Sequence, residues 1–201
     1  MAFTNLEFTI MQVSIQIKTI KALLHFTAKK DIRYYLQGVQ IEQGETGTYA
    51  VATNGHFLAV ARIDTQAQAP ASMIVGSDHL TAAIKGNKLD FITLDVVAAY
   101  KVTIKTGASE VTVQTLDGCY PDWRRVIRAP QIGEQAYFNP DYLATVQKAA
   151  GEYHGNKSAL YHVAQNGTSV GHCAIDDDLQ VFVMPVRGGG SNPVAPWVGT
   201  C

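Results

Sequence analysis

The chain has 201 residues, enough for one large domain or two small ones with a substantial core. Apolar residues make up 47% of it and charged residues 16%, a balance typical of globular proteins and not of disordered ones. The formal net charge is -1. This balance excludes an overall basic protein, so any contact with nucleic acid must depend on a local basic face.

The cysteines and the amino-terminal stretch bear on the cellular compartment. Cys119, Cys173 and Cys201 lie far apart and form no CxxC motif, which indicates free thiols in a reducing compartment. Residues 1–11 carry Glu7 within an apolar segment and lack a basic start, so they match a signal peptide poorly. No apolar run approaches the roughly 18 residues of a membrane span. We therefore expect a soluble, cytoplasmic protein with no membrane partner.

A module of one strand, one helix and three further strands is predicted three times along the chain. In the first copy, the alternating Val13–Ile17 predicts a strand, and Ile20, Leu23 and Leu24 follow at helical spacing. The next predicted strands are Tyr35–Ile41, Tyr49–Thr53 and Phe57–Ile63. Asn54-Gly55, between the last two, predicts a tight turn because glycine accepts a positive φ.

The second copy follows a polar, proline-containing linker at residues 64–71. Met73–Val75 is a predicted short strand, and Ser77 is the predicted N-cap of a helix Asp78–Lys85 that Gly86 ends. The predicted strands that complete this copy are Phe91–Val96, Tyr100–Lys105 and Glu110–Thr115. The alternation from Lys101 to Lys105 predicts that one face of this sheet contacts solvent.

The third copy opens with a predicted strand at Ala136–Phe138. Asn139-Pro140 predicts a helix start, since the asparagine side chain accepts a backbone N–H and proline suits the first helical position. The helix is predicted to end near Ala150, and the strands that follow are Ala159–Ala164, Ser169–Ile175 and Leu179–Val186. Gly188-Gly189-Gly190-Ser191 predicts that 188–201 is a flexible tail. Together these patterns predict an α+β fold with antiparallel sheets and few helices.

Four stretches resemble segments of the beta subunit of bacterial DNA polymerase III, the DNA sliding clamp. They are DIRYYLQGVQIE (Asp31–Glu42), VATNGHFLAVARI (Val51–Ile63), LDGCYPDWRRVI (Leu116–Ile127) and QVFVMPVR (Gln180–Arg187). Each alone is a weak match, but the four occur in the family's order and close to its spacing. The resemblance covers roughly residues 12–187. It implies the DNA-clamp fold, in which repeated β-α-β-β-β modules build antiparallel sheets with helices on one face.

The resemblance also implies how the chain is divided. Residues 1–130 resemble a complete clamp domain, the middle one, built of two modules at about 12–66 and 71–128. Residues 131–187 resemble only the second half of the clamp's third domain. The first domain and the first half of the third have no match in this sequence. In the family those parts carry the head-to-tail contact that closes the ring.

Partner proteins of the sliding-clamp family insert a short linear motif with apolar anchors into a pocket between the middle and third domains. Carried over residue by residue, the resemblance implies a peptide-binding pocket made of Leu36, Thr53, Gly55, His56, Leu58, Pro121, Arg125, Val126, Val183, Met184, Pro185 and Val186. Aliphatic walls of this kind can bury one or two Leu or Phe side chains, each worth roughly 1.5–3 kcal/mol. Methionine adapts to varied peptides. We expect about micromolar affinity for such a peptide.

Clamps also line their channel with helices whose Lys and Arg side chains meet phosphates without reading bases. The resemblance implies DNA-contact candidates at Lys18, Lys21, Lys29, Lys30, Arg33, Lys85, Lys88 and Lys148, which are half of the 16 basic residues. Binding by these groups would be independent of sequence and would weaken steeply with salt. Charge at helical spacing is also the usual pattern of a solvated helix face, and that alternative stays open.

No pattern in the sequence predicts an enzyme. The position of His56 after Asn54-Gly55 favours a packed turn histidine over a general base. Asp176-Asp177-Asp178 is more typical of a solvated hairpin tip than of a metal site. Consecutive strand residues point to opposite faces, so the three carboxylates do not converge on one ion. We therefore expect no catalytic residue, no metal and no cofactor.

Two functional hypotheses follow from the resemblance. The first is a sliding-clamp-like, processivity-factor type of accessory protein. It would dock clamp-binding motifs of DNA polymerase or repair proteins and contact double-stranded DNA without sequence preference. The second is a decoy or adaptor, encoded by a phage or another mobile element, that binds partner motifs without encircling DNA. Encircling DNA would require self-association, because the clamp ring contains twelve modules and each chain here has three; we therefore expect a homo-oligomer.

Overall fold

The computed structural model describes residues 11–63, 70–107, 109–127, 134–157 and 160–187. The strands in these ranges are β1 (Gln12–Gln16), β2 (Gly38–Gly44), β3 (Gly47–Thr53), β4 (Phe57–Ile63), β5 (Ala71–Gly76), β6 (Phe91–Ala98), β7 (Lys101–Thr106), β8 (Ser109–Gln114), β9 (Gly171–Asp176) and β10 (Leu179–Val183). The helices are α1 (Ile17–Leu24), α2 (Ser77–Ile84), α3 (Arg124–Ile127) and α4 (Pro140–His154). The α+β prediction is confirmed.

Two antiparallel sheets organise the molecule. The four-stranded sheet has the order β1-β6-β7-β8, and the six-stranded sheet has the order β5-β2-β3-β4-β10-β9. The first two modules exchange strands, since β1 pairs with β6 and β5 pairs with β2. Strand β10 then extends the second sheet by pairing with β4, which sets Phe182 opposite Leu58. This pairing joins the middle of the chain to its far end.

The main core lies between the sheets and the helices. In β4 the alternating residues Phe57, Ala59 and Ala61 belong to this core, whereas Leu58 and Val60 face the opposite side of the sheet. Helix α1 buries Ile17, Ile20 and Leu23 in the same core. The core holds this helix and α4 together on one face of the six-stranded sheet. Side chains on the opposite face are therefore free to build a separate surface.

Two predicted helix starts had different outcomes. The Asn139 cap is confirmed, because its side chain accepts a hydrogen bond from the Asp141 backbone N–H at 2.9 Å and Pro140 is the first helical residue. The helix runs on to His154, past the predicted end. The predicted Ser77 cap is wrong. Ser77 is itself the first residue of α2, and no side-chain hydrogen bond caps that helix.

Several predicted strands are corrected by the structure. Tyr34–Gln37 forms a turn of 3-10 helix, in which the Leu36 N–H donates to the Arg33 carbonyl, so the strand begins only at Gly38. Residues 136–138 and 160–164 form no strand. Neither has a neighbouring strand to complete a ladder in the described ranges, and Ala164 makes only an isolated bridge with His172.

The remaining predictions concern the sheet face around Lys101, the linker and the tail. Lys101 is exposed, but Thr103 on the same face is buried and its hydroxyl lies 2.8 Å from that of Thr112. The predicted solvent-facing side of this sheet is therefore only partly exposed to solvent. Most of the predicted linker (residues 64–69 of 64–71) lies outside the described residues, and so does the predicted tail, 188–201. Among the helices in the described ranges, none has the length and apolar character needed to cross a membrane.

Candidate peptide-docking site

A second apolar cluster covers the face of the six-stranded sheet opposite the helices, and we call it the outer-face cluster. Its buried members are Ala28, Leu36, Val51, Leu58, Val60, Ile74, Tyr120 and Trp123, and its partly buried members are Tyr35, Tyr49, Leu116, Val126 and Phe182. The cluster draws on β3, β4, β10 and the segment around α3. It thus combines residues that are more than a hundred positions apart in the sequence.

Tyr120 anchors the segment before α3 to the sheet. Its buried hydroxyl accepts a hydrogen bond from the Thr53 backbone N–H at 3.1 Å and lies 3.3 Å from the carbonyl oxygens of Gly38 and Val51. Burial raises the pKa of the Tyr120 hydroxyl well above its ordinary value. The group therefore keeps its proton and can donate to either carbonyl while it accepts from Thr53.

Trp123 fixes the segment at a second point. Its indole N–H donates to Glu42 at 3.2 Å, and the Arg124 guanidinium, which lies 4.2 Å from the centre of the indole ring, forms an ion pair with the same carboxylate at 2.7 Å. The Trp123 ring also packs on Tyr49, with the ring centres 5.3 Å apart. These contacts hold Val126, on the next turn, against the outer-face cluster.

The far end of the chain enters this surface through β10 and the three residues after it. The Met184 N–H donates to the His56 carbonyl at 2.9 Å, and the Val186 N–H donates to the Tyr137 carbonyl at 2.7 Å. Hydrogen bonding thus continues past the end of β10. The Met184 side chain is 43% exposed, so an apolar and flexible side chain remains available beside the cluster.

The twelve pocket residues implied by the resemblance fall into separate environments. Leu36 and Leu58 are buried in the outer-face cluster, with Val126 partly buried there. Pro121, Arg125, Met184 and Val186 are exposed, and Pro185 is half-buried. The prediction that Val183 lines the pocket is wrong. It is fully buried in the main core, because the two-residue alternation of β10 turns it towards the helices.

Phe182 was missed by the sequence reasoning and lies where Val183 was expected. It pairs with Leu58 across the β4–β10 ladder and is half-buried on the outer face. The signal that would have found it is the strand alternation: Leu58 faces outward, so its cross-strand partner does as well. A larger side chain therefore occupies the centre of this surface.

The turn between β3 and β4 presents three further predicted residues at the edge of the surface. The Asn54 side chain accepts hydrogen bonds from the His56 and Phe57 N–H groups, and Gly55 adopts a φ of +89° that favours glycine. The Thr53 hydroxyl donates to the Phe57 carbonyl and accepts from the Gly55 N–H. The His56 ring packs on Tyr142 of α4, with 5.1 Å between ring centres, so His56 has a packing role.

The lysine candidates for DNA contact are all exposed. Lys18 and Lys21 project from α1 and Lys148 from α4, while Lys85 and Lys88 follow α2. The Lys18 ammonium lies 4.2 Å from the centre of the Tyr153 ring on α4. None of these lysines, nor Lys29 or Lys30, forms an ion pair within the described ranges. Their charges are available to an external anion.

Arg33 differs from the lysines because a carboxylate already engages it. Its guanidinium donates to both carboxylate oxygens of Asp31, at 3.1 and 2.9 Å. This side-chain hydrogen bonding holds the pKa of Asp31 at about 2, below its usual 3.8. Much of the charge of Arg33 is therefore offset inside the molecule, which makes it a weaker candidate for phosphate contact.

The acidic and thiol side chains of the described residues have structural surroundings. No group of three or more His, Cys, Asp or Glu side chains in them is arranged to hold a metal ion. Asp177 and Asp178 are exposed in the turn between β9 and β10, as expected of a solvated tip, and Asp178 accepts from Arg62 at 2.7 Å. Cys173 is buried, and burial raises the pKa of its thiol to about 11, which disfavours the reactive thiolate.

Solved sliding clamps share this arrangement of sheets and helices. DNA polymerase III subunit beta from Borrelia burgdorferi matches with a TM-score of 0.71 and 12% identity, over 94% of this chain and 67% of its own. The same subunit from Pseudomonas aeruginosa matches with a TM-score of 0.67 and 19% identity, over 89% and 66%. Similarity at this identity establishes the fold. The molecule is an α+β protein with the DNA-clamp fold.

Sequence comparison gives the family. The model for the central domain of the DNA polymerase III beta subunit matches residues 10–122, more than half of the 201 residues. The chain belongs to the DNA polymerase III beta subunit family.

Curated relatives show how much of the family's length is represented. The beta sliding clamp of Proteus mirabilis is 29% identical over 128 residues, which cover 62% of this chain and 34% of the relative. The beta sliding clamp of Caulobacter vibrioides is 35% identical over 105 residues, or 49% and 28%. The chain thus spans about a third of the length of these curated relatives.

Proposed function

We propose that this protein is a sliding-clamp-like accessory protein of DNA replication or repair. Its outer-face cluster docks short apolar motifs of polymerases or repair proteins, and the exposed lysines of the helix layer contact DNA phosphates without sequence preference. It acts by binding and has no catalytic activity of its own. In the proposed division, residues 1–130 form one unit of two modules and residues 131–187 supply half of another.

The β4–β10 pairing is the observation that carries this proposal. It aligns Phe182 with Leu58 and fixes the Met184 backbone to His56, so apolar side chains from both parts of the chain border one surface. Tyr120 and Trp123 hold a third border in place through buried or partly buried hydrogen bonds. A surface whose borders are already fixed loses little conformational freedom when a peptide binds.

The docking surface is tested by the binding of a fluorescein-labelled peptide that carries a bacterial clamp-binding motif. Met184→Asp places a charge on the exposed apolar border, where it should weaken binding at least tenfold, or about 1.4 kcal/mol. Leu36 is unsuitable for this test because it is only 1% exposed, and a charge there would disturb folding. The matched control is Val97→Asp, which changes an exposed apolar residue on β6 in the other sheet. Equal affinity in the wild type and Met184→Asp would refute the site.

A decoy or adaptor role is the second candidate, and two observations favour it. The net charge is -1, and Asp31 already binds Arg33, so the attraction for DNA rests on a few lysines. A protein that encircles DNA stays on nicked circular DNA at high salt and leaves it after linearisation. A decoy shows only salt-sensitive binding or none. Retention on the circle that ends on linearisation would therefore reject the decoy role.

Self-association is part of the clamp proposal. Within the described residues, β8 pairs with β7 alone, so its other edge presents free backbone groups, and Val111 on this strand is 60% exposed. Edges of this kind tend to pair with another chain. We propose that copies of this chain associate and supply the modules a ring requires.

A further inference from the structure

A groove of about 330 Å³ lies in the part of the outer-face cluster that extends along β4 and β10 from Leu58 towards the β9–β10 hairpin. Val60 on β4 forms its floor, Tyr49, Trp123 and Ile127 line the side towards β3, and Phe182 lines the side of β10. The acidic β9–β10 hairpin borders it through Asp177. None of the pocket residues implied by the family resemblance lines this groove.

Hydrogen bonds and ring contacts hold both sides of the groove in place. On the β10 side, the His172 ring stacks on Phe182 with 5.0 Å between centres, and His172 Nε2 lies 2.7 Å from Gln180 Oε1. The Gln180 amide in turn donates to the Asp176 carbonyl at 2.7 Å. The opposite side is Trp123, which Glu42 and Arg124 fix as described above. Both aromatic sides are thus ordered before any ligand arrives, which favours binding.

The charge at the hairpin end of the groove is negative. Asp178 is engaged by Arg62, whose Nε lies 2.8 Å from its carboxylate. Asp177 is exposed and makes no ion pair with another described residue. A basic side chain would therefore meet the unpaired carboxylate of Asp177, which attracts cations. An apolar side chain beside it would fill the space above Val60.

The groove is continuous with the docking surface. Leu58 and Val60 are two residues apart on one strand, a separation of about 7 Å, so an extended peptide reaches from one to the other with two or three residues. We propose that the groove is a second pocket of the same surface and binds a basic residue and an apolar residue that flank the partner's motif. This inference rests on the proposed docking function and adds the chemistry of the flanking segment.

The test compares three fluorescein-labelled peptides by anisotropy. One carries a bacterial clamp-binding motif alone, and the others carry a Gly-Lys-Leu extension at the amino or the carboxyl end. We expect one extended peptide to bind about tenfold more tightly than the motif alone, a gain typical of one partly buried apolar side chain. Asp177→Lys and Ile127→Glu should each remove that gain and leave the affinity of the unextended peptide unchanged. The matched controls are Asp90→Lys and Val97→Glu, which change exposed residues that do not line the groove.

Each outcome decides between the two proposals. If the motif binds and neither extension improves its affinity, the groove proposal is wrong and the docking function stands. If no peptide binds, both are wrong. A gain that persists in Asp177→Lys and Ile127→Glu would place the extension elsewhere and overturn the inference.

Discussion

Tyr120→Phe is the substitution that most cleanly tests how the outer-face cluster is assembled. It removes one oxygen from a buried site where the Thr53 N–H donates to the hydroxyl at 3.1 Å and two carbonyls lie within 3.3 Å. The ring and its packing stay, so the loss is confined to hydrogen bonding. Leaving a buried N–H without its partner costs about 1–3 kcal/mol of unfolding free energy. For a chain of this size, each kcal/mol lowers Tm by roughly 2–4 °C.

Urea unfolding followed by circular dichroism measures this cost. Tyr100→Phe is the matched control, because Tyr100 is exposed and its hydroxyl makes no hydrogen bond within the described residues. We expect the control to stay within about 0.5 kcal/mol of the wild type. If Tyr120→Phe also stays within that limit, the hydroxyl does not anchor the segment before α3, and the reasoning about the fixed border of the docking surface fails.

Three further predictions concern pH, DNA and assembly. Asp31 should titrate near 2 by NMR, and Arg33→Gln should move the pKa towards 3.8. Because the pKa of Asp31 is lowered in the folded protein, its ion pair with Arg33 stabilises the protein above pH 3.8. This stabilisation disappears as the pH falls towards 2. A pKa of 3.8 for Asp31 in the wild type would contradict the prediction. Lys18→Glu with Lys21→Glu should weaken DNA binding and lower its salt slope by about one for each phosphate that the variant no longer neutralises. If Lys101→Glu, on the four-stranded sheet, weakens DNA binding equally, the α1 face is not a specific DNA-contact surface. Light scattering of the wild type should give a mass above that of the monomer, and Val111→Lys on the β8 edge should reduce that mass. A monomeric wild type would reject self-association.

Much of the fold could be predicted because its determinants are local. The apolar alternation of β4 and the Asn139-Pro140 helix start depend on neighbouring residues, and both are found as expected. The predicted strands Ala136–Phe138 and Ala159–Ala164 are not found in the described residues 136–138 and 160–164, and the reason is non-local. A strand requires a neighbour to complete its hydrogen bonds, and no neighbouring strand accompanies them in the described residues.

The site was predictable only in part. The four family-like stretches located the segments that border the surface, but they did not determine which side chains face outward. Phe182 and Val183 are adjacent, and only the register of β10 against β4 assigns the first to the outer face and the second to the main core. The second groove depends on Trp123 meeting Glu42, 81 positions earlier in the chain. No local pattern contains that information.

The proposed function depends on docking of a partner's motif on the face of the six-stranded sheet opposite the helices. The most direct measurement is a crystal structure of the protein with a bound clamp-binding peptide. We predict that the peptide's apolar anchors contact Leu58, Phe182 and Met184. A bound peptide that instead lies against the helix layer, or away from the β4–β10 pairing, would contradict the claim.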